Sequence, residues 1–166
     1  GGAGSDTIQG GAQGDVILVG AGDYTATEVI VGNGGTDQVR FTSTTNQTLT
    51  LNNTFDVEQV WIASADGSQN GSTSENINAA VVAQSISLYG NSGDNVLTGS
   101  NNDDYLDGYT GNDTLLGGGG NDTMHLYYST GDSVDGGDGN DLLYLNWGFS
   151  GADSVIQNVE TVNVSG

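Results

Sequence analysis

Acid and amide side chains recur at one phase of a nine-residue pattern. From Gly90 the chain divides into GNSGDNVLT (90–98), GSNNDDYLD (99–107), GYTGNDTLL (108–116) and GGGGNDTMH (117–125). GGDGNDLLY (136–144) follows after a ten-residue interruption, LYYSTGDSVD. GGAGSDTIQ (1–9) and GGAQGDVIL (10–18) open the chain, and a degenerate block, GNGGTDQVR, occupies 32–40. The sixth position holds Asp6, Asp15, Asp37, Asn95, Asp104, Asp113, Asp122 and Asp141. Two residues later stands an apolar side chain: Ile8, Ile17, Val39, Leu97, Leu106, Leu115, Met124 and Leu143. Carboxylates beside glycine-rich backbone offer oxygen and little else. That is the donor set of a hard cation such as Ca²⁺, which gathers six to eight oxygens at about 2.3–2.6 Å.

The elements that would position these oxygens follow from the same blocks. Gly and Asn accept positive φ at little cost, so positions one to six form a tight turn with carbonyls pointing inward. Positions seven to nine form a short strand whose middle side chain faces a core. One block cannot bury that side chain alone. Stacked blocks can, which predicts an all-β solenoid with two blocks, about 18 residues, per coil.

The blocks GGAGSDTIQ, GYTGNDTLL, GGGGNDTMH and GGDGNDLLY resemble the RTX calcium-binding nonapeptide, Gly-Gly-x-Gly-x-Asp-x-apolar-x. The resemblance covers about 70 of the 166 residues. It implies a right-handed parallel β-roll with Ca²⁺ held between two turns one coil apart. Each turn would give its sixth-position carboxylate and backbone carbonyls. The implied acid pairs are Asp104 with Asp122, and Asp122 with Asp141. Asn95 with Asp113 fits the spacing, but the neutral amide should bind more weakly. Asp113 with Asp132, Asp15 with Asp37, and Asp6 with Asp23 or an upstream turn are further pairings. The carbonyls expected to contribute are those of Gly108, Gly111, Gly117, Gly118, Gly120, Gly136, Gly137, Gly139, Gly2 and Gly4. About three to five ions are expected, mostly in 90–145. Gln13 and Asn102 replace the fourth-position Gly in their blocks. Asp23, Asp66, Asp103, Asp107, Asp135, Asp138 and Asp153 read as exposed acids or turn formers.

A longer repeat lies over the short one. GDSVDGGDGNDLLYLNW (131–147) matches ATEVIVGNGGTDQVRFT (26–42), and QNVETVNVSG (157–166) matches FDVEQVWIAS (55–64). Asp6, Asp15, Asp37 and Glu58 correspond to Asp113, Asp122, Asp141 and Glu160. Two halves of one continuous solenoid are expected. The first, 1–89, joins RTX blocks (1–41) to a Thr/Asn-rich β segment (42–89). The second, 90–166, joins RTX blocks (90–145) to closing strands (146–166). TLTLN (48–52) and SISLY (85–89) alternate with period two, which argues metal-free strands. Ser72–Val82 reads as a loop or short helix. Trp61, Trp147, Tyr127, Tyr128, Tyr144 and Phe149 read as core or end-capping side chains, with a sugar-stacking platform as the alternative.

Composition narrows the function. The chain has 21 acidic residues, one basic residue (Arg40), one His (His125), no Cys and no Pro, for a net charge of −20. Disulfides and thiolate metal sites are excluded, and zinc has too few ligands. Nucleic acid and anionic membranes would be repelled. The apolar runs Ala79–Ala83 and Val16–Val19 are far short of the roughly 20 residues that span a bilayer. GGAGSDTIQ carries no initiator Met or targeting region, and VETVNVSG carries no evident secretion signal, so a fragment or processed chain is expected. No nucleophile elbow, phosphate loop or second His supports an enzyme. The acids answer to the turn period rather than to catalysis.

The family resemblance is closest to bacterial S-layer and large surface proteins and implies type I secretion. The expected function is that of a calcium-binding structural protein of an extracellular or cell-surface assembly, such as an S-layer, sheath, filament or adhesin stalk. Its expected partners are calcium, further copies or neighbouring surface subunits, and possible polysaccharide. The alternatives are the secretion and folding module of an exported enzyme, or a carbohydrate-binding module. The charge gives calcium a folding role. Each ion cancels two of the charges that repel one another in the compact state, so binding becomes folding free energy.

Overall fold

The computed structural model describes residues 5–25, 27–69, 71–127, 131–146 and 155–165. Gly2, Gly4, Tyr128, Trp147, Phe149 and Asp153 lie outside the described residues. The described chain is all-β: sixteen strands and no helix.

The strands are numbered along the chain, and alternate ones belong to opposite sheets. The even-numbered strands form one eight-stranded sheet in sequence order: β2 (Val16–Gly20), β4 (Gln38–Thr42), β6 (Gln59–Ala63), β8 (Ser87–Asn91), β10 (Tyr105–Tyr109), β12 (Thr123–Leu126), β14 (Leu142–Asn146) and β16 (Thr161–Ser165). Six odd-numbered strands form a second sheet: β5 (Thr48–Thr50), β7 (Asn76–Asn78), β9 (Val96–Thr98), β11 (Thr114–Gly119), β13 (Ser133–Asp138) and β15 (Val155–Gln157). The remaining two, β1 (Thr7–Gln9) and β3 (Val29–Val31), pair with each other, and Val31 bridges to Asp56. Every ladder is parallel, as a β-solenoid requires.

The apolar eighth position of each block becomes a row through the core. In one sheet Ile17, Val39, Val60, Leu88, Leu106, Met124, Leu143 and Val162 stand in register. In the other, Ile77, Leu97, Leu115, Val134 and Ile156 do the same. Apart from Val162, which is exposed on the end strand β16, side chains of both rows meet in a single apolar core. In-register stacking fixes the height of every turn, and so of every acid that precedes a strand.

Two expectations are corrected here. Ser72–Val82 holds no helix, and its loop is interrupted by the three-residue strand β7, with Ile77 buried in the core. Trp61 and Tyr144 neither fill the core nor cap an end. Their strands turn alternate residues inward, and these two point outward, half-buried. The rings on this outer face stack on one another: Trp61 on Tyr89 (3.8 Å between centroids, 9°), His125 on Tyr144 (4.6 Å), and Tyr109 on Tyr127 (5.9 Å, 10°).

Candidate metal sites

The acids that precede strands form two columns along the solenoid. In the first, the backbone N–H of one coil donates to the acid of the next. Asp15 N–H donates to Asp37 Oδ1 (2.8 Å), and Asp37 N–H to Glu58 Oε2 (2.7 Å). After a coil where Ile86 takes the place, Ile86 N–H donates to Asp104 Oδ1, Asp104 to Asp122 Oδ1 and Asp122 to Asp141 Oδ1, each at 2.8 Å. Asp141 N–H then donates to Glu160 Oε2 (2.7 Å). In the second column Asn95 N–H donates to Asp113 Oδ1 (2.9 Å) and Asp113 N–H to Asp132 Oδ1 (2.8 Å). The structure thus brings together all the tandem pairs named from spacing. Asp6 and Asp23 line one small cavity with Glu28 and Tyr24.

These ladders engage one carboxylate oxygen; the second divides the turns into two classes. In three turns the N–H of position two donates to the sixth-position side chain: Gly11 to Asp15 (2.5 Å), Asn91 to Asn95 (2.8 Å) and Ser100 to Asp104 (2.5 Å). In four others position two is left-handed: Asn33 (φ 73), Tyr109 (φ 61), Gly118 (φ 110) and Gly137 (φ 98). There the Oδ2 atoms of Asp37, Asp113, Asp122 and Asp141 are buried and accept no hydrogen bond; Asp6 Oδ2 is in the same state.

Around the open oxygens the glycines are needed for close approach. A Cβ on Gly117 would collide with both Asp122 Oδ2 and the Gly136 carbonyl. Gly136 faces Asp141 Oδ2 in the same way, and Gly108 faces Asp113 Oδ2. At position four, Gly111, Gly120 and Gly139 take positive φ and bring the turn against the previous coil. Carboxylate oxygen and glycine carbonyl therefore converge.

The electrostatics point the same way. Burial raises Asp113 to about 7, with Asp132 among the charges adding to it. Burial likewise raises Asp122 to about 7, and Asp104 and Asp141 add to it. Burial also raises Asp104 and Asp141. No basic side chain answers these acids. The only one in the chain, Arg40, donates to Gln38 Oε1 and the Gly67 carbonyl. Buried carboxylates without a counter-charge are costly. Oxygen donors around unengaged anionic oxygens fit a hard divalent cation, which would supply the missing positive charge. Among the described residues no three acid or imidazole side chains converge on one point, so backbone carbonyls must complete any such site.

Several acids were placed wrongly or missed from sequence. Asp107 is buried rather than exposed, beneath Tyr105 and Tyr109, and burial raises it to about 6. Asp103 is exposed, as the sequence suggests, and it also accepts the N–H of Asn121 one coil on (2.7 Å). Glu28, Glu58, Glu75 and Glu160 all stand immediately before strands, in the place the blocks give to Asp. The match of Glu58 to Glu160 was the available signal.

The RTX calcium-binding nonapeptide repeat model, four copies long, matches residues 1–26, 89–124 and 131–152. No curated protein and no solved structure matches the chain. The matched segments span just over half of the chain and contain seven of the eight sixth-position residues, all but Asp37, together with Asp132. With its stacked parallel strands and unengaged turn carboxylates, this chain belongs to the RTX calcium-binding nonapeptide repeat family.

Proposed function

We propose that the chain is a calcium-folded structural element of an extracellular or cell-surface assembly, exported through type I secretion. The observation that carries this is the set of buried, unengaged Oδ2 atoms on Asp37, Asp113, Asp122 and Asp141 in a chain of net charge −20. Asp6, Asp15, Asp104 and the glycine carbonyls of the facing turns would complete about three to five sites. Extracellular calcium modules bind at about 10⁻⁴–10⁻³ M, so such a chain would stay open at cytosolic calcium and order outside the cell.

The internal repeat supports a structural rather than an accessory role. Asp6, Asp15, Asp37 and Glu58 precede β1, β2, β4 and β6, while Asp113, Asp122, Asp141 and Glu160 precede β11, β12, β14 and β16. Each pair of counterparts is ten strands apart, as expected of two halves of one solenoid. A polysaccharide partner is less well supported, because the stacked rings turn their faces to each other and not to solvent.

The test is sedimentation velocity of the chelator-stripped chain titrated with calcium, with magnesium as control. Compaction followed by growth of larger species in calcium alone is the expected result. Compaction without growth would favour a secretion or binding module, and no change would defeat the proposal.

A further inference from the structure

The turn 90–95 differs from the calcium-type turns around it in a way that concerns the seam it closes. It faces the turn that ends at Glu75, one coil earlier, and the Gly71, Thr73 and Glu75 carbonyls across that gap have donors. Asn95 Nδ2 donates to the Glu75 carbonyl (2.9 Å) and to the Thr73 carbonyl (3.4 Å). Asn91 Nδ2 donates to the same Thr73 carbonyl (3.0 Å). Ser92 supplies both its N–H (3.1 Å) and its hydroxyl (3.0 Å) to the Gly71 carbonyl. The Asn95 amide has only one workable orientation. Its Oδ1 receives the Asn91 N–H (2.8 Å), which can only donate, and its other end meets carbonyls, which can only accept.

These three residues sit at positions two, three and six of their block. In the calcium-type turns ending at Asp122 and Asp141, position two is a left-handed glycine and position six a carboxylate with an open oxygen. Here position two is not left-handed, the sixth-position side chain is neutral, and Asn91 and Asn95 are both buried. A cation between these turns would have to displace the side-chain N–H groups that already satisfy the carbonyls, with no carboxylate from Asn95 in return.

We propose that turn 90–95 is a metal-free clasp. The Asn91, Ser92 and Asn95 side chains fill the role that calcium fills elsewhere, and they hold β7 to β9 whether or not calcium is present. Asn95 is then a donor to the preceding coil and not a weak calcium ligand. The seam stays closed when the coils beyond it open, and gives them a paired edge on which to refold. This rests on the calcium reading of the neighbouring turns.

The test uses the full chain, with bound calcium counted by equilibrium dialysis and amide exchange followed in chelator. Asn95→Ala should bind as many ions as the parent, while exchange at Asn76–Asn78 and Val96–Thr98 in chelator speeds up at least tenfold. The double variant Asn91→Gly/Asn95→Asp should bind one additional ion and make protection of that seam calcium-dependent. Loss of one ion in Asn95→Ala would overturn the proposal, as would unchanged exchange in that variant. A double variant that gains no ion would count equally against it. A parent chain that binds no calcium would defeat the calcium reading instead, and the clasp would stand or fall on exchange in chelator.

Discussion

The middle of the solenoid and its calcium-type coils solve the same packing problem with different materials. Between β5 and β7, and again between β6 and β8, one coil takes 28 residues (Thr48 to Asn76, Gln59 to Ser87). The stretch from β5 to β8 buries Leu49, Leu51, Phe55, Val57, Val60, Ile62, Ile77, Ala79, Val82, Ile86 and Leu88. In the blocks the repeat falls to 18 or 19 residues. Strands β9, β10, β11 and β13 each give one large apolar side chain to the core: Leu97, Leu106, Leu115 and Val134. The glycine-rich positions of each short coil add no apolar side chain to the core, so little apolar surface is available to offset the ordering of its backbone. The lesson is that a coil shortened to two blocks gives up core and relies on what its turns hold.

The largest effects should come from the thin core. Leu115→Ala should cost about 2–5 kcal/mol, as buried Leu truncations do. Calcium should restore much of that loss, whereas the loss from Ile62→Ala in the middle should be indifferent to calcium. Thermal melts of both variants with calcium and with chelator would check this.

Next comes the acid column. Asp122 ties Asp104 through Oδ1 and leaves Oδ2 open, so Asp122→Ala should raise the calcium midpoint of folding at least tenfold. Glu58→Gln, which keeps an acceptor for the Asp37 N–H outside the densest blocks, should shift it far less. Gly117→Ala changes no charge, yet its methyl would occupy the space between Asp122 Oδ2 and the Gly136 carbonyl. It should remove one bound ion in equilibrium dialysis while leaving the middle strands protected.

Acidity offers a metal-free route to the same relief. Burial raises Asp113 and Asp122 to about 7 and Asp107 to about 6, from an ordinary 3.8. Between the ordinary and the raised values the folded chain holds protons that the unfolded chain has lost. Stability without calcium should therefore rise as pH falls from about 7 toward 4, and fall as pH rises through that window. Far-UV circular dichroism in chelator should gain β signal on mild acidification. The smallest effect belongs to the outer rings: Tyr89→Leu, which breaks the stack on Trp61, should cost about 0.5–1.5 kcal/mol with or without calcium.

Much of this was legible because the nine-residue phase carries two signals, an acid and an apolar residue two positions on. Together they set the coil length, the core rows and the neighbours of Asp104, Asp113, Asp122 and Asp141. Where one signal fails, the pattern is lost. The interruption at 126–135 hides the start of β13, because only Asp132 and Val134 keep the phase. The acid Glu75 is hidden by its length and by a turn without the glycine signature. Asp107 looks like an exposed strand residue, but its burial depends on rings at Tyr105 and Tyr109 and on a neighbouring coil. Whether a turn is open or closed depends on φ at position two, which Tyr109 and Asn33 adopt without being glycine.

Residue-resolved amide exchange, with calcium and again in chelator with magnesium, tests the division of labour most directly. The account predicts that β4, β6, β7 and β8 stay protected in chelator, while β10, β11, β12, β13 and β14 lose protection and regain it with calcium alone. Equal protection of both regions in chelator, or their opening together, would contradict it.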